Sequence, residues 1–394
     1  MSITRQTVDS PYTTSVDGLS GQYLQEARSS IIHTANKPQK ILDIFGGFGG
    51  AREAACKAGI TIADDGYYLI EIDETKRFNM GDPFSHYLTI NYPNECSDKS
   101  FRMMHNIPWD IRNPDLAREI RAIAQDLTWL IASFPCQAVS IASASRPGFQ
   151  EHTETFLFNL AHDILQIVLE ENPACNYIFE CTAFPDMPAP WSAIEERLGR
   201  AIIIDAAAVS ACHRIRAIWS NLLSVITHLP YPVPQTDLAD ILDYPHVPIA
   251  SPATDQAPFD TYNIQGMTQR KAPTLMASPM VLIKGEWQFT HSIRNGTALV
   301  QNMVTGNTEL RSIQEDIKCM GYNPIAFSAM TTVTQGFVRH ALGDSIQNDF
   351  MAWLMSWGCD PTYHHIRAPK QDRHAEHQQL TTVPATQLQP NNEY

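Results

Sequence analysis

From Lys40 onward, apolar residues fall into short unbroken runs that alternate with stretches in which they recur every three or four positions. Ile41 to Phe45, Tyr67 to Ile72, Thr128 to Ser133 and Tyr177 to Phe179 are too short for helices and lack a polar face, so they predict strands buried on both sides. Ala51 to Ala58, Pro114 to Asp126 and Phe156 to Glu170 carry helical spacing between them, and Ala201 to Ala208 and Arg216 to Leu222 add two further strands. Strands alternating with helices predict an α/β fold with a doubly wound, mostly parallel sheet. Such a sheet takes its ligands beyond the carboxyl ends of the strands.

The pattern stops at both ends of this stretch and changes within it. The first 38 residues are rich in Ser, Thr and Gln, with one weakly helical stretch from Tyr23 to Ile32, and predict an arm ahead of a catalytic unit spanning 39–223. Prolines at 230, 232, 234, 245, 248, 252 and 258 exclude long helices, so 224–308 is expected to be a small irregular domain. Helical spacing returns over 309–360, and because the last proposed strand has no helix after it, this segment is expected to pack back on the main sheet. The His-, Gln- and Asn-rich stretch 361–394 predicts a disordered tail.

Composition narrows the function more than the fold. No apolar run reaches the roughly 18 residues needed to cross a bilayer, and the opening residues lack the apolar segment of a signal peptide, so no membrane partner and a cytoplasmic location are expected. The eight cysteines include no C-x-x-C pair, which leaves no case for a structural metal. A formal charge of -14 argues against a nonspecific polyanion binder. Between Ala211 and Ser345 nine Arg or Lys face ten Asp or Glu, so a nucleic-acid surface there would depend on local geometry or on adjacent subunits of a homo-oligomer.

The chemistry gathers where strands end. Asp43-Ile44-Phe45-Gly46-Gly47-Phe48-Gly49-Gly50 follows the first strand, and its glycines would let a ligand approach the backbone closely. Arg52 stands where a dinucleotide fingerprint would place its third glycine, so a nucleoside without pyrophosphate fits better. Glu71 ends the second strand at about the spacing that reaches ribose hydroxyls. The strand ending at Ser133 leads into Phe134-Pro135-Cys136-Gln137 and a small-residue loop, Ala138 to Gly148, that could close as a lid. Glu180 ends the next strand, and Arg214 and Arg216 open another on a shared face. A thiol, a carboxyl and paired guanidinia suit nucleophilic catalysis.

In this order the segments resemble the DNA cytosine-5 methyltransferase family. The resemblance rests on D-I-F-G-G-F-G-G, E-I-D, W-D-I-R, F-P-C-Q, F-E-C and H-R-I-R, with R-K-A-P-T-L-M-A at Arg270 to Ala277 and A-L-G-D-S-I at Ala341 to Ile346. V-S-A-C-H-R-I-R-A-I-W-S-N-L from Val209, and the compact middle region, are most similar to the animal de novo type, while the glycine loop and F-P-C-Q are closer to the bacterial form. The resemblance implies S-adenosyl-L-methionine as cofactor, double-stranded DNA as substrate, and a place such as restriction-modification. Cys136 would attack C6 of a flipped-out cytosine, Glu180 would hydrogen-bond N3 and the amino group, Arg216 would hold O2, and Arg214 would support the nucleophile loop. The cofactor would be bound by Phe45, Gly47, Phe48, Gly49, Gly50, Glu71, Ile72, Asp110, Ile111, Pro135, Phe156, Asp344 and Ser345. Among these, Glu71 would take the ribose and Asp110 the adenine amino group.

Two positions depart from the family pattern. Cys181 stands where an asparagine normally ties the glutamate loop to its neighbours, and Asp344 stands where an asparagine precedes Ser345. An aspartate there would repel the cofactor carboxylate unless it faced away or carried a proton. One branch of the family modifies transfer RNA with the same Cys136 and Glu180, and degenerate members act as non-enzymatic regulators, so both alternatives stand beside the DNA enzyme.

Overall fold

The computed structural model describes residues 38–72, 110–136, 139–140, 153–222, 236–248, 260–264, 267–272, 280–283, 286–289, 299–324 and 335–358. The expected arm up to residue 37 with its helical stretch, residues 137–138 and 141–152 of the expected lid, residues 273–277 of the R-K-A-P-T-L-M-A stretch, and the tail from 359 lie outside the described residues.

β1 (Gln39–Ile44), β2 (Ile62–Ile70), β3 (Trp129–Ser133), β4 (Asn176–Thr182), β5 (Ile202–Asp205) and β6 (Ile215–Ser220) form one sheet in the order β2-β1-β3-β4-β6-β5. β2, β1, β3 and β4 run parallel, whereas β6 is antiparallel to both β4 and β5. The unbroken apolar character of the inner strands has the expected cause: Ile41, Leu42, Ile44, Trp129, Leu130, Ile131, Ile178 and Phe179 are all fully buried. The reversal of β6 has a direct consequence for the site. Its first residues lie level with the carboxyl ends of β3 and β4.

The helices cover the sheet as their periodicity predicts. α1 (Gly50–Lys57) follows β1; α2 (Leu116–Ala124) buries Leu116, Ile120, Ile123 and Ala124, a helical stripe, and packs against α3 (Thr153–Glu171). On the outside of that pair Arg121 reaches Glu170 at 2.9 Å and Glu171 at 2.8 Å. α4 (Pro188–Leu198) is a helix that the sequence pattern did not suggest, because Pro185, Pro188 and Pro190 look like breakers. Pro188 occupies the first helical turn, where no intrahelical donor is needed. The expected strand Ala201 to Ala208 is cut short. Only Ile202–Asp205 pairs, and Asp205 then accepts the Ala207 amide at 3.0 Å and caps a single 3-10 turn, Ala206–Ala208.

Beyond Leu222 the elements are short. α5 (Leu238–Ile241) is followed by β7 (His246–Val247), two hairpins, β8 (Asp260–Ile264) with β9 (Met267–Lys271) and β10 (Met280–Ile283) with β11 (Glu286–Phe289), and a three-stranded sheet β13-β12-β7 built with β12 (Leu299–Asn302) and β13 (Thr308–Leu310). Ala272, just after β9, bridges to the main unit: its amide donates to the Ala211 carbonyl and its carbonyl accepts from His213, both at 2.7 Å. His246 sits between Glu315 and Glu309, at 2.8 Å and 3.0 Å, and ties the three-stranded sheet to α6 (Ile313–Cys319). Although burial opposes its charge, hydrogen bonds to the two glutamates raise the histidine above its ordinary pKa.

α7 (Gln335–Asp344) and α8 (Asn348–Gly358) close the chain, and α8 lies against α1. A Cβ on Gly50 would stand 3.0 Å from the Tyr322 hydroxyl and 3.1 Å from Asn348 Oδ1, so the glycine allows this contact to close. The return of the C-terminal segment to the main unit is thus made by helix on helix. No helix among the described residues is long and apolar enough to cross a membrane.

Candidate active site

At the end of β1 the backbone carries most of the geometry. Phe45, Gly47 and Gly49 have left-handed φ angles of 61°, 51° and 71°, and this alternation turns the chain sharply into α1. For Phe45 that conformation is strained, and its amide is held by the Ile70 carbonyl at 2.8 Å. Gly46 has no room for a side chain, since a Cβ would lie 2.4 Å from both Asp43 Oδ2 and Leu69 Cδ1. Around Gly47 the reverse holds: an added Cβ would meet nothing within 4 Å, so the outer face of the loop is open.

Two acids support the loop. Glu71, buried at the end of β2, accepts the Gly47 amide at 3.0 Å. Asp43 lies fully buried beneath the loop, where the Tyr67 hydroxyl donates to it. Burial pushes its pKa up to about 7, against the pull of the Tyr67 and Ala51 hydrogen bonds and with added repulsion from Glu71. Beside the loop, Phe45, Ile70, Ile72, Ile111 and Leu157 line a small, partly open apolar hollow. Three of the residues expected around the cofactor, Phe45, Ile72 and Ile111, therefore meet. Phe156 is half exposed, and it is the next residue, Leu157, that lines the hollow.

Other residues expected around the cofactor make contacts within the protein. Phe48 is fully buried with its ring edge-on to Tyr322, 6.1 Å between centroids. Gly50 faces Tyr322 and Asn348. Asp110 is clasped by Arg112, whose Nε lies 2.7 Å and 2.8 Å from its two oxygens. Asp344 is exposed and pairs with His340 at 3.4 Å, while Ser345 is buried and donates to the Leu342 carbonyl at 2.9 Å.

At the ends of β3, β4 and β6 side chains take over. Cys136 is partly buried two residues past Phe134, and its carbonyl accepts the Val139 and Ser140 amides at 3.0 Å and 2.7 Å. Glu180 and Arg216, both buried, form an ion pair with Nε to Oε1 of 2.5 Å, and Ser133 donates its hydroxyl to Glu180 Oε2. Arg214 Nη2 donates to the carbonyls of Gly343 at 2.9 Å and Ser345 at 2.6 Å, which ties the start of β6 to the turn between α7 and α8. Burial, and then the neighbouring Arg216, lowers its pKa to about 10. Cys181 is buried as well. Burial first, then Cys136 and Glu180, push its thiol far above its ordinary range, so it stays protonated and unreactive.

No protein-family model and no curated protein matches the sequence. Solved structures do match: the Dnmt2 methyltransferase of S. pombe superposes with a TM-score of 0.53 at 14% identity, covering 82% of this chain and 99% of that one. The chain has a methyltransferase fold. The Entamoeba histolytica methyltransferase EhMeth aligns at 13% identity over 83% of this chain and 99% of that one, with a TM-score of 0.49. A protein described as a DNA modification methyltransferase encoded within an E. coli prophage aligns at 14% identity over 81% of this chain and 98% of that one, with a TM-score of 0.45.

Within this methyltransferase fold, sequence reasoning missed Tyr67, Leu157 and Ser133. The signal for Ser133 was present. It is the one hydroxyl at the end of an otherwise apolar strand, but its partner becomes visible only once β3 and β4 are set in register.

Proposed function

We propose that this chain transfers a methyl group from S-adenosyl-L-methionine to C5 of cytosine in double-stranded DNA. The observation that carries the proposal is the buried Glu180–Arg216 pair at the ends of β4 and β6, with Cys136 three residues past the end of the neighbouring strand β3. A cysteine alone would be an inert small hydrophobe. A carboxyl and a guanidinium on the neighbouring strand ends are the groups needed to draw electrons out of a pyrimidine ring as a thiolate adds to it.

The cofactor end supports the reading. An apolar hollow lined by Phe45, Ile72, Ile111 and Leu157 suits a flat adenine, Glu71 beside it suits ribose hydroxyls, and the open left-handed loop around Gly47 leaves space for the rest. Bound there, S-adenosylmethionine would supply an electrophilic methyl group on a sulfonium. As Cys136 forms the bond to C6, its thiol proton would be taken up by Glu180 and passed to N3 where charge develops, and Arg216 would donate to O2. Loss of the C5 proton would then let Cys136 leave and restore the aromatic ring. Because C6 is shielded in the stack, the base must leave the duplex, which costs about a few kcal/mol.

The test is transfer of tritium from labelled S-adenosylmethionine to unmethylated duplex DNA, with transfer RNA and the Cys136→Ala protein in parallel. Label in DNA that vanishes in the mutant supports the proposal, and sequencing the product gives the target. Label confined to transfer RNA would replace the substrate. Cofactor binding without transfer to either would replace the enzyme with a regulator of the same fold.

A further inference from the structure

The value of Glu180 to a bound base depends on where its two oxygens point, and three side-chain torsions leave that undetermined by the strand alone. Ser133 and Glu180 are direct register partners on the neighbouring parallel strands β3 and β4, so their side chains leave the sheet side by side on one face. Arg216 stands on the same face from the other flank, since Glu180 is paired with Ile218, two residues along β6. The result is a row across three strands in which Ser133 donates to Glu180 Oε2 and Arg216 Nε stands 2.5 Å from Glu180 Oε1.

A guanidinium beside a carboxylate normally closes into a two-bond fork. Such a fork would take up both Glu180 oxygens and two of the donors of Arg216. Here the close approach is Nε to Oε1 at 2.5 Å, with Nη1 turned to the Ile215 carbonyl at 2.8 Å and Oε2 drawn the other way by the serine. Each carboxylate oxygen can accept twice, so both keep a lone pair for an incoming ring. Cys181 cannot share this work, because its thiol is buried and protonated.

We propose that Ser133 is a positioning residue that holds Glu180 and Arg216 apart as a one-point pair and so keeps their donors and acceptors available to the target base. This rests on the cytosine-methylation reading for its catalytic consequence, though not for its geometry. In Ser133→Ala the carboxylate turns toward Arg216 and the fork closes, while in Ser133→Thr the hydroxyl remains. Two measurements test it. Steady-state methyl transfer should show kcat falling roughly tenfold to a hundredfold in Ser133→Ala, with KM for cofactor and nucleic acid unchanged, and most of the rate restored in Ser133→Thr. Crystal structures of the wild-type and Ser133→Ala proteins should show the one-point pair become a two-point pair.

An unmoved Glu180 in the alanine protein overturns the proposal whatever the rate does. So does a wild-type kcat in that variant. If the wild-type protein methylates no nucleic acid, the proposed function fails, and the crystal structures still decide whether Ser133 sets the carboxylate.

Discussion

The two ends of the candidate site are held by different means. Beside β1 and β2 the shape lies in the backbone: three left-handed residues in five positions, one amide held by Glu71, and a glycine that tolerates no Cβ. Around β3, β4 and β6 it lies in charged and hydroxyl side chains reaching across strands, Ser133 to Glu180 to Arg216, with Arg214 anchored elsewhere. A ligand with many polar groups along its length is well served by backbone, which is rigid and slow to change. A base whose charge shifts during reaction needs groups that carry charge themselves.

The two ends should therefore fail separately. Cys136→Ala should lower methyl transfer at least about a thousandfold while leaving cofactor affinity, measured by calorimetry, unchanged; equal loss of both would show that the ends are one unit. Gly46→Ala should do the reverse. Its Cβ would overlap Asp43 and Leu69, so the loop must shift, at a cost of about 3 kcal/mol in stability and with weaker cofactor binding. Gly47→Ala is the internal control: strain of about 1–2 kcal/mol from its positive φ, with no overlap. A larger penalty at 47 than at 46 would invert the account of the loop.

Arg214→Lys should cost about 1.5 kcal/mol, one charge-assisted hydrogen bond, because a single ammonium cannot take the place of the planar group between Gly343 and Ser345. Thermal unfolding checks it, and no change would mean the turn between α7 and α8 is held by other contacts. The last effect is a slope. Asp43 has its pKa raised to about 7 in the folded protein against an ordinary value of 3.8, so the folded state favours the protonated form. Its contribution to stability is complete below about 4 and is lost as pH rises through about 7. Asp43→Asn should flatten the fall in melting temperature over that window, and a slope identical to wild type would assign the titration to other groups.

How much of this could be read from sequence depended on whether a residue's partner is local. β1, β3 and β4 were legible because burial on both faces leaves an unbroken apolar run, and Glu71, Cys136, Glu180 and Arg216 stand out as polar residues at the edges of such runs. α4 was not legible, since its prolines serve the first turn and so look like breakers. β5 seemed longer than it is because Ala206 to Ala208 are as apolar as a strand, while the cap from Asp205 that ends the strand is a geometric event. The contacts of Ser133, Tyr67 and Leu157 span 24 residues or more or depend on side-chain direction, so no window along the chain contains them.

The seating of Gly50 against Asn348 also sets a clock. These residues are separated by 298 positions, so at about 5–20 residues per second the glycine loop leaves the ribosome on the order of 15–60 seconds before the helix that backs it. Throughout that interval α1 presents a bare flank with a glycine at its start. The loop thus reaches its final support only once α8 has been made, and a nascent chain halted short of α8 would display the glycine loop without its backing.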